Sequence, residues 1–108
     1  PYFNFYAPYL DMKLHFLGTG GGRFVTTSQN RRTAGMILES DDTMIYIDPG
    51  PGALIHSQSF ETENLDGVVV SHSHLDHTND AEALIEKVTQ LHENPCNIAG
   101  SKSTPFNV

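Results

Sequence analysis

The sequence has few of the residues on which several classes of small protein depend. It holds one cysteine, Cys96, among 108 residues, which excludes an intrachain disulfide framework. No apolar run approaches the ~20 residues that span a bilayer, and no signal peptide is legible. Only 6 lysines and arginines stand against 13 aspartates and glutamates, and the net charge of −7 argues against indiscriminate binding to nucleic acid or anionic membrane. These absences predict a soluble, cytoplasmic protein with no membrane partner.

The length and composition predict at most one globular domain. Hydrophobic residues make up 38% of the chain and charged residues 18%, which excludes disordered and fibrous classes. Residues 1–11 are rich in aromatics, contain two prolines and precede a methionine that resembles a natural start. We expect them to be a non-native extension or an arm that packs on a partner. The domain is therefore predicted from residues 12–108.

Apolar runs and turn residues predict the order of elements. Residues 14–17 predict a strand, and two apolar runs around residues 40–42 predict an antiparallel hairpin. Residues 67–71 form a β-branched run typical of a strand buried on both faces. The further expectations are a loop over 23–33, a short helix over 53–59 and a strand over 97–100.

A helix is predicted after residue 77, because apolar residues recur there at helical spacing. These residues are Ala81, Leu84, Ile85, Val88 and Leu91. Asn79 with Glu82 three positions later is typical of a helix cap, and a start near Leu75 is the alternative.

Three histidines and an aspartate lie within six residues: His72, His74, Asp76 and His77. In an extended segment, residues two apart point the same way, so His72 and His74 can converge on one ion. Asp76 and His77 fall at the turn into the helix and can face a second position nearby. Neutral imidazole and carboxylate suit Zn²⁺, Mn²⁺ or Fe. An exposed polar loop is the alternative, but the buried-looking strand and amphipathic helix on either side favour a metal site.

The pattern His72-x-His74-x-Asp76-His77 resembles the signature of the metallo-β-lactamase-fold hydrolases. Residues 45–50 are similar to that family's strand-ending Asp-x-Gly element. Residues 14–20 resemble the opening strand and loop of the branch that contains RNase Z, the tRNA 3′-end processing endonuclease. The resemblance implies an α/β fold, the N-terminal half of a four-layer αββα sandwich with a mixed sheet and flanking helices. It also implies a metal-dependent hydrolase.

The resemblance assigns roles to individual residues. His72 and His74 would bind a first metal ion, and Asp76, which would also take part in catalysis, would bind a second with His77. Asp48 would orient a ligand histidine through a hydrogen bond without touching the metal, unless it is only a turn aspartate before a proline. One or two zinc ions, or Mn or Fe, would lower the pKa of a bound water and polarise the scissile bond.

The sequence also departs from the family pattern. The family takes further metal ligands from its second half, whereas His92 is the last histidine here. Leu75 stands where the RNase Z branch usually has glycine, which leaves a tRNA substrate without support. We therefore expect the N-terminal part of a hydrolase domain that is weakly active or inactive alone. The alternative is a non-enzymatic metal-binding fragment or scaffold half that pairs with a partner.

Two further features bear on the substrate. Arg23, Arg31 and Arg32 lie within ten positions and could grip an anion such as a phosphodiester, or belong to a solvated loop. Small-molecule esters, thioesters and lactams remain alternative substrates. The glycine-rich residues 18–22 could cradle a phosphate, but a tight turn close to the metal cleft is the simpler interpretation.

Self-association is also expected, because half of a sandwich leaves one sheet face and a strand edge uncovered. The side chains expected at the exposed surface are Ile45, Ile47, Val68, Val69 and Val70.

Overall fold

The fold is a mixed β-sheet with helices, seen here in a computed structural model that describes residues 11–90 and 95–102. The strands are β1 (Met12–Gly18), β2 (Gly35–Ser40), β3 (Thr43–Ile47), β4 (Gly67–Val70) and β5 (Asn97–Gly100). The helices are α1 (Arg23–Ser28), α2 (Ala53–His56), α3 (Leu75–Thr78) and α4 (Ala81–Val88), with a 3₁₀ turn at Thr62–Asn64. None of the helices within the described residues combines the length and the apolar character that a membrane-spanning helix needs.

The five strands lie in the order in which they occur in the chain. β1, β2 and β3 pair antiparallel, whereas β4 pairs parallel with both β3 and β5. Ser40 pairs with Thr43, so the β2–β3 hairpin closes on two residues, the first of which, Asp41, has a φ of 50°. Aspartate tolerates this left-handed conformation better than most residues do. The predicted hairpin and α/β class are confirmed.

One face of the sheet forms the hydrophobic core. The strand register aligns His15, Ile37, Tyr46, Val68 and Ile98 across all five strands. The four apolar residues of this row pack with the apolar side of α4 in one cluster, whose α4 members are Ala81, Leu84, Ile85 and Val88. The helical periodicity read from the sequence is confirmed for these four residues, because each is at most 2% exposed.

The opposite face of the sheet is apolar but only half-buried. Its side chains are Leu14, Phe16, Met36, Leu38, Ile45, Ile47 and Val69. The expectation that Val68 and Val70 would be exposed is wrong, because both point into the core on the α4 side. β4 is therefore fully buried only on the face that α4 covers, and not on both faces as the sequence predicted.

Two local predictions also need correction. Residues 23–28 of the expected loop form helix α1, and Gln29, which follows the helix, has a φ of 53°. The expected Asn79–Glu82 cap is wrong, because Asp80 precedes α4 and makes no side-chain cap there. Its carboxylate instead accepts the N–H groups of Gly52 and Leu54, at 3.0 and 3.4 Å, and so caps the start of α2. A separate helix, α3, does begin at Leu75.

Some predictions fall on residues outside the described ranges. These are the extension, apart from Asp11, and the positions of Leu91 and His92.

Cys96 lies within the described residues and is partly buried. Burial, and then the nearby negative charge of Asp66, raise the pKa of its thiol, which disfavours the nucleophilic thiolate.

The two sheet faces predict different costs for similar substitutions on neighbouring residues. Ile37 is fully buried on the core face, so Ile37→Ala should lower the free energy of unfolding by about 2–5 kcal/mol. Leu38 is half-buried on the other face, and Leu38→Ala should cost about 1 kcal/mol. Chemical denaturation of both variants measures the difference. Equal costs would contradict this assignment of the core.

Candidate metal centre

The histidine cluster lies at the edge of the sheet where β3 and β4 both end. These strands are parallel neighbours, so the residues that follow them, Asp48 and Ser71, meet at the same edge. The N–H of Asp48 donates to the carbonyl of Val69 at 2.8 Å, which continues the strand pairing up to the site. Ligand sites of open α/β sheets commonly occur at this carboxyl edge.

The carboxylate of Asp48 organises this edge. Its Oδ1 accepts the N–H of Ser71 at 2.7 Å, and its Oδ2 accepts the hydroxyl of Ser71 at 2.8 Å. Nδ1 of His77 lies 2.8 Å from the same Oδ2, and because an ionised carboxylate has no proton to give, His77 donates. Asp48 has a φ of 57° and is only 8% exposed. Asp48 therefore adopts a left-handed backbone conformation at the point where its buried carboxylate connects the ends of β3 and β4.

The three imidazoles of the cluster pack against one another. The ring centroids of His72 and His74 are 4.7 Å apart, and those of His72 and His77 are 4.1 Å apart. Nε2 of His77 lies 3.3 Å from Oδ2 of Asp76. The four side chains singled out in the sequence are thus neighbours. Within residues 11–90 and 95–102, however, no three histidine, cysteine or carboxylate donors are arranged to hold an ion.

The donor set nevertheless fits a divalent metal. Asp48 occupies Nδ1 of His77 and leaves Nε2, the atom that faces Asp76, for a ligand. A carboxylate bound behind a histidine in this way is the usual partner of a metal-binding imidazole. Neutral imidazoles with one carboxylate suit Zn²⁺, Mn²⁺ or Fe.

The glycine-rich loop contacts the cluster through its backbone. The N–H of Gly22 donates to Oδ2 of Asp76 at 3.2 Å. Partial burial acts to raise the pKa of Asp76, but backbone hydrogen bonds from Gly22 and from Asp76 itself, with the attraction of its carboxylate to His77 and His72 whenever these rings are protonated, outweigh it. The pKa of Asp76 therefore lies below its usual value. The loop is a turn beside the site, as the simpler interpretation of its glycines predicted.

Of the three arginines singled out in the sequence, Arg23 lines a cleft beside the cluster. This cleft holds about 210 Å³ and is also bordered by Gly22, His74, Leu75 and Asp76. Arg31 and Arg32 are exposed and do not line it. Burial, and then the positive charge of Arg32, lower the pKa of His56 on α2.

His77 also lines an apolar cavity of about 300 Å³. Its lining includes Asp48 as well as Phe16 and Met36 of the half-buried sheet face. Residues of the candidate centre thus line both a charged cleft and an apolar cavity.

Sequence reasoning gave no role of their own to two residues that shape the site, Ser71 and Gly50, although Gly50 is the glycine of the Asp-x-Gly element. Ser71 directly precedes His72, which is the signal that could have drawn attention to its hydroxyl. Gly50 leaves no room for a Cβ, because that atom would collide with the carbonyl of Asp76 and press on Thr33. A glycine here lets the loop after β3 pass directly against α3.

Comparisons with known proteins agree with this fold. A family profile described as "Beta-lactamase superfamily domain" matches residues 43–104, more than half of the chain. The chain is 33% identical over 83 residues to an uncharacterized protein of Methanocaldococcus jannaschii, covering 75% of this chain and 31% of that protein. It is 31% identical over 84 residues to a ribonuclease Z of Methanopyrus kandleri, covering 76% and 29% respectively.

Solved structures share the fold. The metallo-beta-lactamase fold protein YhfI from Bacillus subtilis superposes with a TM-score of 0.71 at 29% identity, covering 85% of this chain and 37% of that one. A diphosphatase from the PhnP family has a TM-score of 0.61 at 18% identity, covering 86% and 42%. The chain spans about a third of the length of the curated relatives that it matches.

The close approach at Gly50 predicts a local effect on the cluster. Gly50→Ala should displace α3 and with it the ring of His77, because the backbone of Asp76 has to move. The matched control is Gly21→Ala, since a Cβ at Gly21 meets nothing within 4 Å. Amide and imidazole chemical shifts measure both. Shifts of His77 that are unchanged in Gly50→Ala, or changed as much in the control, would contradict the contact.

Proposed function

The chain belongs to the β-lactamase superfamily, and from that membership we propose that it contributes ligands to a divalent-metal site that hydrolyses phosphodiesters. The observation that carries the proposal is the packing of three imidazoles at one sheet edge, with Asp48 bound behind His77. His72 and His74 would bind one ion, and Asp76 and His77 a second. Zinc is the first choice for both positions, and Mn or Fe is the alternative.

Two carboxylates of the chain, those of Asp48 and Asp76, would have different roles at the site. Asp48 orients His77, and the lowered pKa of Asp76 keeps its carboxylate ionised as a ligand and as a hydrogen-bond acceptor for water. A metal bound there would supply a water of lowered pKa and polarise the scissile bond. Further ligands would come from outside the described residues.

A phosphodiester is the substrate class that the cleft favours. Arg23 brings a positive charge to a cleft that His74 and Asp76 also border, and a guanidinium binds phosphate oxygens through paired hydrogen bonds. Ribonuclease Z among the curated relatives supports the same class. Leu75 borders the cleft where the RNase Z branch has glycine, so the proposal does not extend to tRNA.

Metal binding by the chain is the first test. We expect the chain to bind zinc, and the double variant His72→Ala/His74→Ala to lose that binding because two of the imidazoles are gone. His56→Ala is the control, since His56 lies on α2 against Gly52. Calorimetric titration with zinc, repeated with manganese and iron(II), measures affinity and stoichiometry. Equal zinc affinity in the double variant and the control would contradict the site.

The chain alone should be a poor catalyst. A hydrolytic site needs enough fixed ligands to hold the ion and still leave one position open, and four side chains shared between two ions fall short of that. Turnover of bis(p-nitrophenyl) phosphate, with and without chelator, measures this. Rapid turnover that a chelator abolishes would show that the described residues suffice.

The half-buried sheet face favours a second candidate function, that of a scaffold half that pairs with a partner. Phe16, Leu38 and Ile45 belong to this apolar face. Apolar patches of this kind promote association.

We therefore expect the chain to self-associate, and Leu38→Lys to weaken that association. Lys13→Ala, an exposed change on β1, is the control. Light scattering and thermal melts with and without zinc measure the outcome. A monomer that melts sharply and independently of zinc would contradict this candidate.

A further inference from the structure

Ser71 connects the Asp48 carboxylate to a second histidine of the cluster. Its hydroxyl lies 2.8 Å from Oδ2 of Asp48 and 3.0 Å from Nδ1 of His72. Its backbone N–H is held by Oδ1 of the same carboxylate at 2.7 Å, which fixes the residue in place. Asp48 therefore makes a direct hydrogen bond to His77, and the hydroxyl of Ser71 connects it to His72.

Counting protons assigns a direction to each of these bonds. A serine hydroxyl has one hydrogen, and the ionised carboxylate of Asp48 can only accept, so that hydrogen lies between Ser71 and Asp48. The oxygen of Ser71 is then left to accept from His72, and Nδ1 of His72 must carry the proton. A neutral His72 with its proton on Nδ1 has its lone pair on Nε2. The direct bond to Asp48 imposes the same tautomer on His77.

We infer that Ser71 is a positioning residue, which transmits the orienting effect of Asp48 to His72 and presents Nε2 of that ring as a metal ligand. The inference rests on the proposed metal site. It adds that the carboxylate of Asp48 sets the tautomer of His72 as well as that of His77. Burial does not explain the hydroxyl bonds, because Ser71 is exposed and water could satisfy its hydroxyl.

Two substitutions separate the hydroxyl from the rest of the residue. Ser71→Ala removes the hydroxyl and keeps the backbone N–H that binds Asp48. Ser71→Thr keeps both, and its added methyl group has space because the position is exposed. His77 serves as an internal control in every variant, since its bond to Asp48 does not pass through Ser71.

The direct readout is the tautomer of each ring in the ¹⁵N-labelled, metal-free chain. Long-range ¹H–¹⁵N correlation spectra are recorded at a pH where the ¹⁵N shifts themselves show neutral rings. We expect the proton of His72 on Nδ1 in the wild-type chain and in Ser71→Thr. Ser71→Ala should move it toward Nε2 or give a mixture, while His77 keeps its proton on Nδ1.

Zinc affinity, measured by chelator competition, is the second readout. Loss of a residue that orients a metal ligand typically weakens affinity by about 10–100-fold, which we expect for Ser71→Ala. Ser71→Thr should restore the wild-type affinity, which a purely structural role for the serine side chain would not require.

Several outcomes would overturn the inference. A proton on Nε2 of His72 in the wild-type chain would do so even if Ser71→Ala failed to fold. The same His72 tautomer in Ser71→Ala as in the wild type, or equal zinc affinities of the two, would also do so. An absence of zinc binding by the wild-type chain would instead refute the proposed metal site, while the tautomer of His72 would still decide the role of Ser71.

Discussion

The arrangement of the candidate centre depends on one buried carboxylate, that of Asp48. It accepts three hydrogen bonds, two from Ser71 and one from His77, and so ties the end of β3 to the end of β4 and to helix α3. A buried ionised group is costly without such partners, and these bonds offset that cost. The left-handed backbone at Asp48 is tolerated because the surrounding bonds hold it there.

Local patterns in the sequence predict much of the fold and of the candidate site. The β2–β3 hairpin, the β-branched strand β4 and the apolar side of α4 follow from periodicity and turn chemistry alone, although the prediction put Ser40 in the turn and the structure pairs it with Thr43. The motif residues His72, His74, Asp76 and His77 are neighbours in space because a strand end and a short helix bring them together. Their spacing of at most five positions keeps this part of the geometry local.

The features that sequence reasoning missed depend on contacts between distant positions. Asp80 caps α2 across 28 positions, so its neighbours in sequence could not reveal that role. The bond from Gly22 to Asp76 spans 54 positions and is made by a backbone group, which carries no side-chain signal. The burial of Val68 and Val70 depends on which sheet face α4 covers, and an apolar run that lacks alternation does not say which.

The separation of Asp48 and Ser71 by 23 positions has a thermodynamic consequence. The residues that orient His72 and His77 come together only when β4 is paired with β3, so the unfolded chain holds no preformed version of the cluster. Any ligand that binds the ordered cluster then stabilises the strand pairing by mass action. The midpoint of thermal unfolding would accordingly rise with the concentration of that ligand. Ligand binding to the cluster would in turn report whether β3 and β4 are paired.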